Sequence, residues 1–242
     1  MTMGKPVDIG RIVLPVAGAF NRLRHGFPSC FFQGAGSIGD DLMCTVVFRE
    51  LRKRSQRSIA MVTPNPSLFE KNPDVVKIIP MTGKLLSRLG RAGLPVTILT
   101  HSGYDAARDA DLPPDEHVLI RLCRVAGITG SVELRPYLFL TPEELAAGKL
   151  AETQVVMQST ELSSPMALQN REWYPARFQE LCARLRSDVR VIQVGSSTDL
   201  KLEGAIDLRG RTNPRQTAAL LANSLVFVGL AGFVMHLARA VD

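Results

Sequence analysis

The chain has 242 residues, 45% of them hydrophobic and 21% charged, which excludes an intrinsically disordered protein and suffices for one large or two small α/β cores. The formal charge of +6 favours anionic partners such as nucleotides or lipid head groups. The basic residues are dispersed, however, and the densest group (Arg49, Arg52, Lys53, Arg54, Arg57) falls at the end of a predicted helix, where cations suit the helix dipole; nucleic acid is therefore not the expected partner.

Residues 1–28 read as a basic leader without a clean apolar period. Within it, Arg11 to Ala19 is too short and too interrupted by Pro15 to serve as a secretory signal. From Cys30 a β-α alternation begins: the apolar run CFF, a Gly-rich turn, a helix over about Asp40 to Arg54, and a strand over Ser58 to Thr63. Strands at Val76 to Ile79 and Val96 to Thr100 alternate with helices at Lys84 to Ala92 and Glu116 to Ala126, the pattern of a parallel sheet covered on both faces.

Thr141-Pro142-Glu143-Glu144 reads as a helix start, with Thr141 the N-cap and Pro at the first helical position. The pattern restarts near residue 150. A strand Gln154 to Met157, a long polar loop, a helix Pro175 to Ser187 and strands at Val189 to Val194 and Ala205 to Leu208 follow. A helix Pro214 to Ala222, a strand Leu225 to Val228 and a helix over Val234 to Ala240 close the chain. Although Ala218 to Leu237 is nearly long enough to span a bilayer, Asn223, Ser224, Gly229, Gly232 and His236 break it. The four cysteines form no Cys-x-x-Cys pair and lie in apolar stretches, so reduced, buried thiols and a cytoplasmic setting are expected.

Two turns carry candidate chemistry. Gly34-Ala35-Gly36-Ser37-Ile38-Gly39 has the spacing G-x-G-x-x-G between a strand and a helix, as in dinucleotide-binding folds. The second strand of such a fold should end in an acid that holds the ribose, and here it ends in Thr63-Pro64-Asn65. The following helix opens with Asp40-Asp41, which repels a pyrophosphate. A carboxylate at a helix N-terminus stays ionised and can accept a proton, or can simply cap the helix. The second turn, Gly229 to His236, again joins a strand to a helix and places backbone N–H groups beside a possible cation, a combination suited to phosphate.

The order of segments GSIGDDLM (Gly36 to Met43), NPDVVKIIP (Asn72 to Pro80), NREWYPARFQEL (Asn170 to Leu181), VIQVGSSTD (Val191 to Asp199), IDLRGRTNPRQTAALLANSLVFVG (Ile206 to Gly229) and MHLARAV (Met235 to Val241) resembles glycosyltransferase family 9, the heptosyltransferases of lipopolysaccharide synthesis, over roughly residues 29 to 242. The resemblance implies a GT-B fold of two Rossmann-like domains, an acceptor domain at 29–150 and a nucleotide-sugar donor domain at 151–242. It implies inverting, metal-independent transfer without a cofactor, from a nucleotide-diphosphate sugar to a glycan or glycolipid, with peripheral contact at the cytoplasmic face of the inner membrane.

In that scheme Asp40 is the catalytic base and Asp41 a capping or orienting neighbour. Arg171 offsets charge on the leaving diphosphate, Thr160 contacts phosphate, Thr212 lies in the base-binding segment, and Gly229, Gly232 and His236 form the phosphate turn; Trp173 is packing. Two departures stand out: Ala231-Gly232-Phe233 replaces the family's acid-bearing turn, and the chain stops at Asp242, so the donor domain is expected to be incomplete, with uncovered sheet edges. The alternatives are a catalytically inactive relative that binds nucleotide or a partner protein, and an NAD(P)-binding oxidoreductase resting on the glycine spacing alone.

Overall fold

The structure, a computed structural model, describes residues 28, 30–34, 37–55, 58–82, 85–94, 96–100, 104–105, 110–111, 115–160 and 172–242. The leader, apart from Pro28, and Arg171 lie outside them. Contacts divide the described chain into two compact units. The first combines the opening strand with residues 47–66 and 73–132, and the second takes 37–46, 67–72 and 133–242. The second unit thus starts ahead of the break expected near 150 and recruits two short segments from the first half of the chain.

In the first unit, β1 (Cys30–Gly34), β2 (Ile59–Thr63), β3 (Lys77–Pro80) and β4 (Val96–Leu99) form a parallel sheet in the order β3-β2-β1-β4. All five residues of β2 are buried, as a central strand covered on both faces requires. The expected helix over 40–54 is two helices, α1 (Ile38–Met43) and α2 (Thr45–Ser55). They part at Cys44, where the Thr45 hydroxyl donates back to the Leu42 carbonyl at 2.6 Å, a side-chain bond of the kind that bends helices. Phe48 of α2 packs its ring on Phe32 of β1, centroids 5.7 Å apart.

The basic cluster on α2 is held by specific partners as well as by the dipole. Arg54 donates to Glu50 at 3.0 Å and to the Ser131 carbonyl at 2.6 Å, and Arg49 pairs with Asp74 at 2.9 Å. The unit is completed by α3 (Leu85–Arg91), the two-residue antiparallel strands β5 (Tyr104–Asp105) and β6 (Ala110–Asp111), and α4 (Val118–Val125).

The second unit repeats the design. Its strands β7 (Gln154–Met157), β8 (Arg190–Gln193), β9 (Ile206–Asp207) and β10 (Val226–Val228) are parallel in the order β10-β7-β8-β9. The helices are α5 (Pro142–Gly148), α6 (Pro175–Leu185), α7 (Pro214–Ala222) and α8 (Phe233–Val241). Val155, Met157 and Val191 of the sheet pack with Phe178 and Cys182 of α6 and with Leu202 and Leu230. Trp173 sets its ring edge-on against Phe178 at 5.0 Å, the packing role expected of it.

Thr141 caps α5 in a reciprocal box with Glu144, Pro142 occupying the first turn. Gly148 at the end of α5 lets that helix meet α7 backbone to side: a Cβ there would stand 2.2 Å from the Ala219 carbonyl carbon. Leu225, just ahead of the edge strand β10, and Val226 within it are exposed, at 68% and 50%. Among the described residues no helix is long and apolar enough to cross a membrane.

Candidate functional site

In an open parallel sheet, ligands settle outside the carboxyl ends of the strands at the point where strand order reverses. In the second unit, β7 leads to β8 and β9 on one side and has β10 on the other, so the reversal lies between β7 and β10. Thr160 stands there, three residues beyond β7 and 6% exposed, next to the buried Ser159. The turn after β10 carries Gly229 and Gly232 into α8.

Gly232 is the N-cap of α8, and no side chain caps the helix, whose first turn also lacks acidic residues. The helix itself thus supplies neither a capping side chain nor a first-turn acid to offset the positive end of its dipole. Gly229 has a different reason to be glycine: a Cβ there would lie 2.2 Å from Cζ of the Phe227 ring. Its role in the structure is to clear that ring, which the spacing of glycines alone did not reveal.

The short helix α1 belongs to this same unit. Ser37 caps it: the Ser37 hydroxyl accepts from the Asp40 N–H at 3.1 Å, and the Asp40 carboxylate accepts from the Ser37 N–H at 3.2 Å. The reciprocal box shows that Asp41, expected to cap the helix or to orient its neighbour, does not cap it. Asp40 does so from the third helical position, because the helix starts at Ile38 rather than at the acidic pair, while Asp41 is buried at 1% exposure. Asp40 stays partly exposed.

Gly39 brings the two turns together. A Cβ built on it would lie 4.0 Å from Cδ2 of His236, an ordinary van der Waals distance, so the imidazole of α8 stands close to the residue beside Asp40. The His236 N–H donates to the Gly232 carbonyl at 3.2 Å, which sets the ring in the opening turns of α8. Asp40, His236 and the uncapped start of α8 are thus gathered in one unit from sequence positions nearly two hundred residues apart.

Thr212 precedes α7, and its hydroxyl bonds that of Thr217 at 2.9 Å, while Asn213 caps the helix in a box with Gln216. The Thr212 hydroxyl is therefore engaged with α7 in this conformation. Sequence reasoning also missed two glutamines at the carboxyl ends of the first strand of each sheet, Gln33 and Gln158, whose buried Oε1 atoms have no hydrogen-bond partner. A polar residue ending an apolar strand run, FFQ or VVMQ, was the available signal. Among the described residues no group of three or more His, Cys, Asp or Glu is placed to hold a metal ion.

A cavity of about 410 Å³ lies elsewhere, lined by Leu221, Leu225, Phe227, Ala238 and Val241 among others. It borders the carboxyl-terminal end of α8, opposite the Gly232 turn, and forms no part of this site.

No protein-family model matches the chain, and no curated protein matches it in sequence. Solved structures do match in fold. The Escherichia coli ADP-heptose lipopolysaccharide heptosyltransferase II is 17% identical, with 88% of this chain and 82% of that one covered at a TM-score of 0.66. A family 9 glycosyl transferase from Veillonella parvula is 12% identical, with 87% and 77% covered at 0.65. The E. coli heptosyltransferase WaaC, solved with ADP, is 13% identical, with 88% and 84% covered at 0.56. The fold is therefore that of two Rossmann-like α/β units of the GT-B type, each built here on a four-stranded parallel sheet.

Proposed function

We propose that this chain is an inverting glycosyltransferase that moves a sugar from a nucleotide diphosphate to a glycan or glycolipid acceptor, as in the synthesis of lipopolysaccharide or another surface polysaccharide. The observation that supports the reading is the closeness of His236 to Gly39, the neighbour of Asp40: an acid suited to accept a proton and a helix start suited to hold phosphate belong to one unit. The likeness in fold to heptosyltransferases supports the same reading.

In this mechanism the Asp40 carboxylate takes the proton of the acceptor hydroxyl as its oxygen attacks the anomeric carbon. The bond from that carbon to the diphosphate oxygen breaks, and the leaving electron pair stays with the diphosphate. The α8 N–H groups and His236, with Arg171 and Thr160, hold the diphosphate; Thr212 lies toward the base. No metal ion or cofactor takes part. A reaction on a lipid-linked acceptor sits at the cytoplasmic face of the inner membrane, where the net positive charge assists peripheral contact.

The test is thermal stabilisation by a panel of nucleoside diphosphates and NAD(P), with transfer assayed in parallel, on the wild type and on Asp40→Asn. Asparagine can still accept the Ser37 N–H, so the capping box survives while the base is lost. One nucleoside diphosphate should stabilise both proteins, and transfer should fall by roughly 10²–10⁴-fold in the variant. Undiminished transfer by Asp40→Asn removes Asp40 as the base.

A second reading, a non-catalytic relative that binds nucleotide or a partner, draws on the commitment of Asp40 to the capping box and on the acid-free turn Ala231-Gly232-Phe233. Nucleotide binding without transfer by the wild type would select it. Stabilisation by NAD(P) alone would select the oxidoreductase reading.

A further inference from the structure

Three buried glutamines serve the second sheet, and two of them are fully used. Gln154 accepts from the Leu150 N–H at 2.8 Å and donates to the Gly148 and Leu220 carbonyls at 3.0 and 2.9 Å. Gln193 accepts from the Leu202 N–H at 2.7 Å and donates to Ser159 Oγ at 3.0 Å and the Leu200 carbonyl at 2.7 Å. Gln158 differs: it is 8% exposed, and its Oε1 is buried with no partner. A buried acceptor left unpaired costs stability that the fold does not recover, so it calls for a physical reason.

Its position supplies one. The Gln158 N–H donates to the carbonyl of Val228, the last residue of β10, at 3.0 Å. Gln158 therefore stands between the carboxyl ends of β7 and β10, where the strand order reverses. On its other side its Cγ borders Gly195, whose φ of +129° is open to glycine and whose Cβ would stand 3.7 Å from that atom. The loop that Gly195 opens presents the hydroxyls of Ser196 and Thr198, 2.9 Å apart.

We infer that Gln158 is a specificity residue of the donor site whose Oε1 accepts a hydrogen bond from a sugar hydroxyl of the bound nucleotide. The inference rests on the glycosyltransferase reading above. The diphosphate has no hydrogen to donate at neutral pH, and the base, which does, lies toward Thr212 in the reading above, so an acceptor at this place serves the carbohydrate part of the ligand. Two sugars offer such a hydroxyl, the ribose of the nucleotide and the sugar to be transferred.

The decisive variant is Gln158→Met, which keeps the volume and removes the idle acceptor. Its unliganded melting temperature should rise, while its affinity for nucleoside-diphosphate sugars (hexose conjugates of ADP, UDP, GDP and CDP), measured by calorimetric titration, should fall about tenfold. If the ribose is the partner, affinity for the free nucleoside diphosphate falls equally; if the transferred sugar is, only the conjugate weakens. Titration of the wild type with the 2′- and 3′-deoxy nucleoside diphosphates checks the ribose case without any variant, and the loss they show should vanish in Gln158→Met.

A variant that melts higher and binds every ligand as the wild type does overturns the inference, as does one that melts lower, since Oε1 would then be engaged within the fold. A wild type that binds no member of the panel fails at an earlier step: it removes the donor reading itself, and this inference with it.

Discussion

Arg215 is the most heavily used charge in the second unit, and its removal should cost more than any surface substitution. Its side chain is 7% exposed. The guanidinium donates to both carboxylate oxygens of Glu144 at 2.6 Å and to the carbonyls of Phe139, Ser67 and Glu70 at 2.7, 3.1 and 3.2 Å. It thereby ties the start of α7 to α5 and to the short 3₁₀ turn Pro66–Phe69. Arg215→Met leaves three carbonyls and a carboxylate without their donor, and stability at pH 7 should fall by about 3–5 kcal/mol.

Glu144 offers the milder perturbation. Hydrogen bonding from Arg215 holds its carboxyl at about 2, below the usual carboxylate value. The group contributes stability above its unfolded value of 4.5, and that stability is lost as the pH falls from there toward 2. Because the Glu144 side chain is 30% exposed, solvent screens the pair, and about 1–2 kcal/mol of acid-sensitive stability is expected. Glu144→Gln keeps the bond from the Thr141 N–H that closes the α5 capping box, present at 2.8 Å in the wild type, but removes the titration. Urea denaturation followed by circular dichroism at pH 7 and pH 3 should show the wild type losing that increment on acidification and Glu144→Gln losing less. Equal acid losses in the two proteins, or a cost below about 1 kcal/mol for Arg215→Met, would refute the account.

Gly148→Ala should destabilise by about 2–3 kcal/mol through overpacking against Ala219, whereas Gly90→Ala, where a Cβ meets nothing within 4 Å, should gain up to about 1 kcal/mol from helix propensity; thermal melts of both variants check the contrast. Burial pushes the Cys123 thiol up to about 12, so it carries almost no thiolate at pH 8. Iodoacetamide at that pH should label the half-buried Cys30 first and leave Cys44, Cys123 and Cys182 until denaturant is added, and rapid labelling of Cys123, read by peptide mass spectrometry, would contradict its placement.

Periodicity located most of the frame because β-α alternation writes a strong local signal. The run QVVM at Gln154–Met157 and the helix opened by Asn213-Pro214 fall at the expected residues, since each is bounded by turn chemistry. The break at Cys44 was not legible, because it comes from one hydroxyl bonding back within an otherwise continuous helical pattern. Nor was the division of the chain. Residues 37–46 and 67–72 join the second unit through contacts distant in sequence, such as Arg215 to the Ser67 carbonyl at 3.1 Å, and no local pattern encodes a partner 148 positions away.

The candidate site was legible as chemistry and not as geometry, and the two glycine turns show why. Both read alike in sequence, a strand, glycines and a helix, and only the acidic pair Asp40-Asp41 set the first apart as a poor anion cradle. The structure separates them by capping. At α1 the Ser37 hydroxyl and the Asp40 carboxylate occupy each other's backbone donors, and Asp40 and Asp41 fill the first turn with negative charge. That end is closed to a phosphate and suited to holding a carboxylate ionised. At α8 the cap is glycine, which brings no capping side chain, and the first turn holds no acidic residue. One turn thus favours a proton acceptor and the other an anion, and His236 of α8 stands within about van der Waals reach of Gly39, next to Asp40. This division of roles disfavours a dinucleotide at the first turn and makes the pair of turns, rather than either glycine motif alone, the unit to which a transferase mechanism can be assigned.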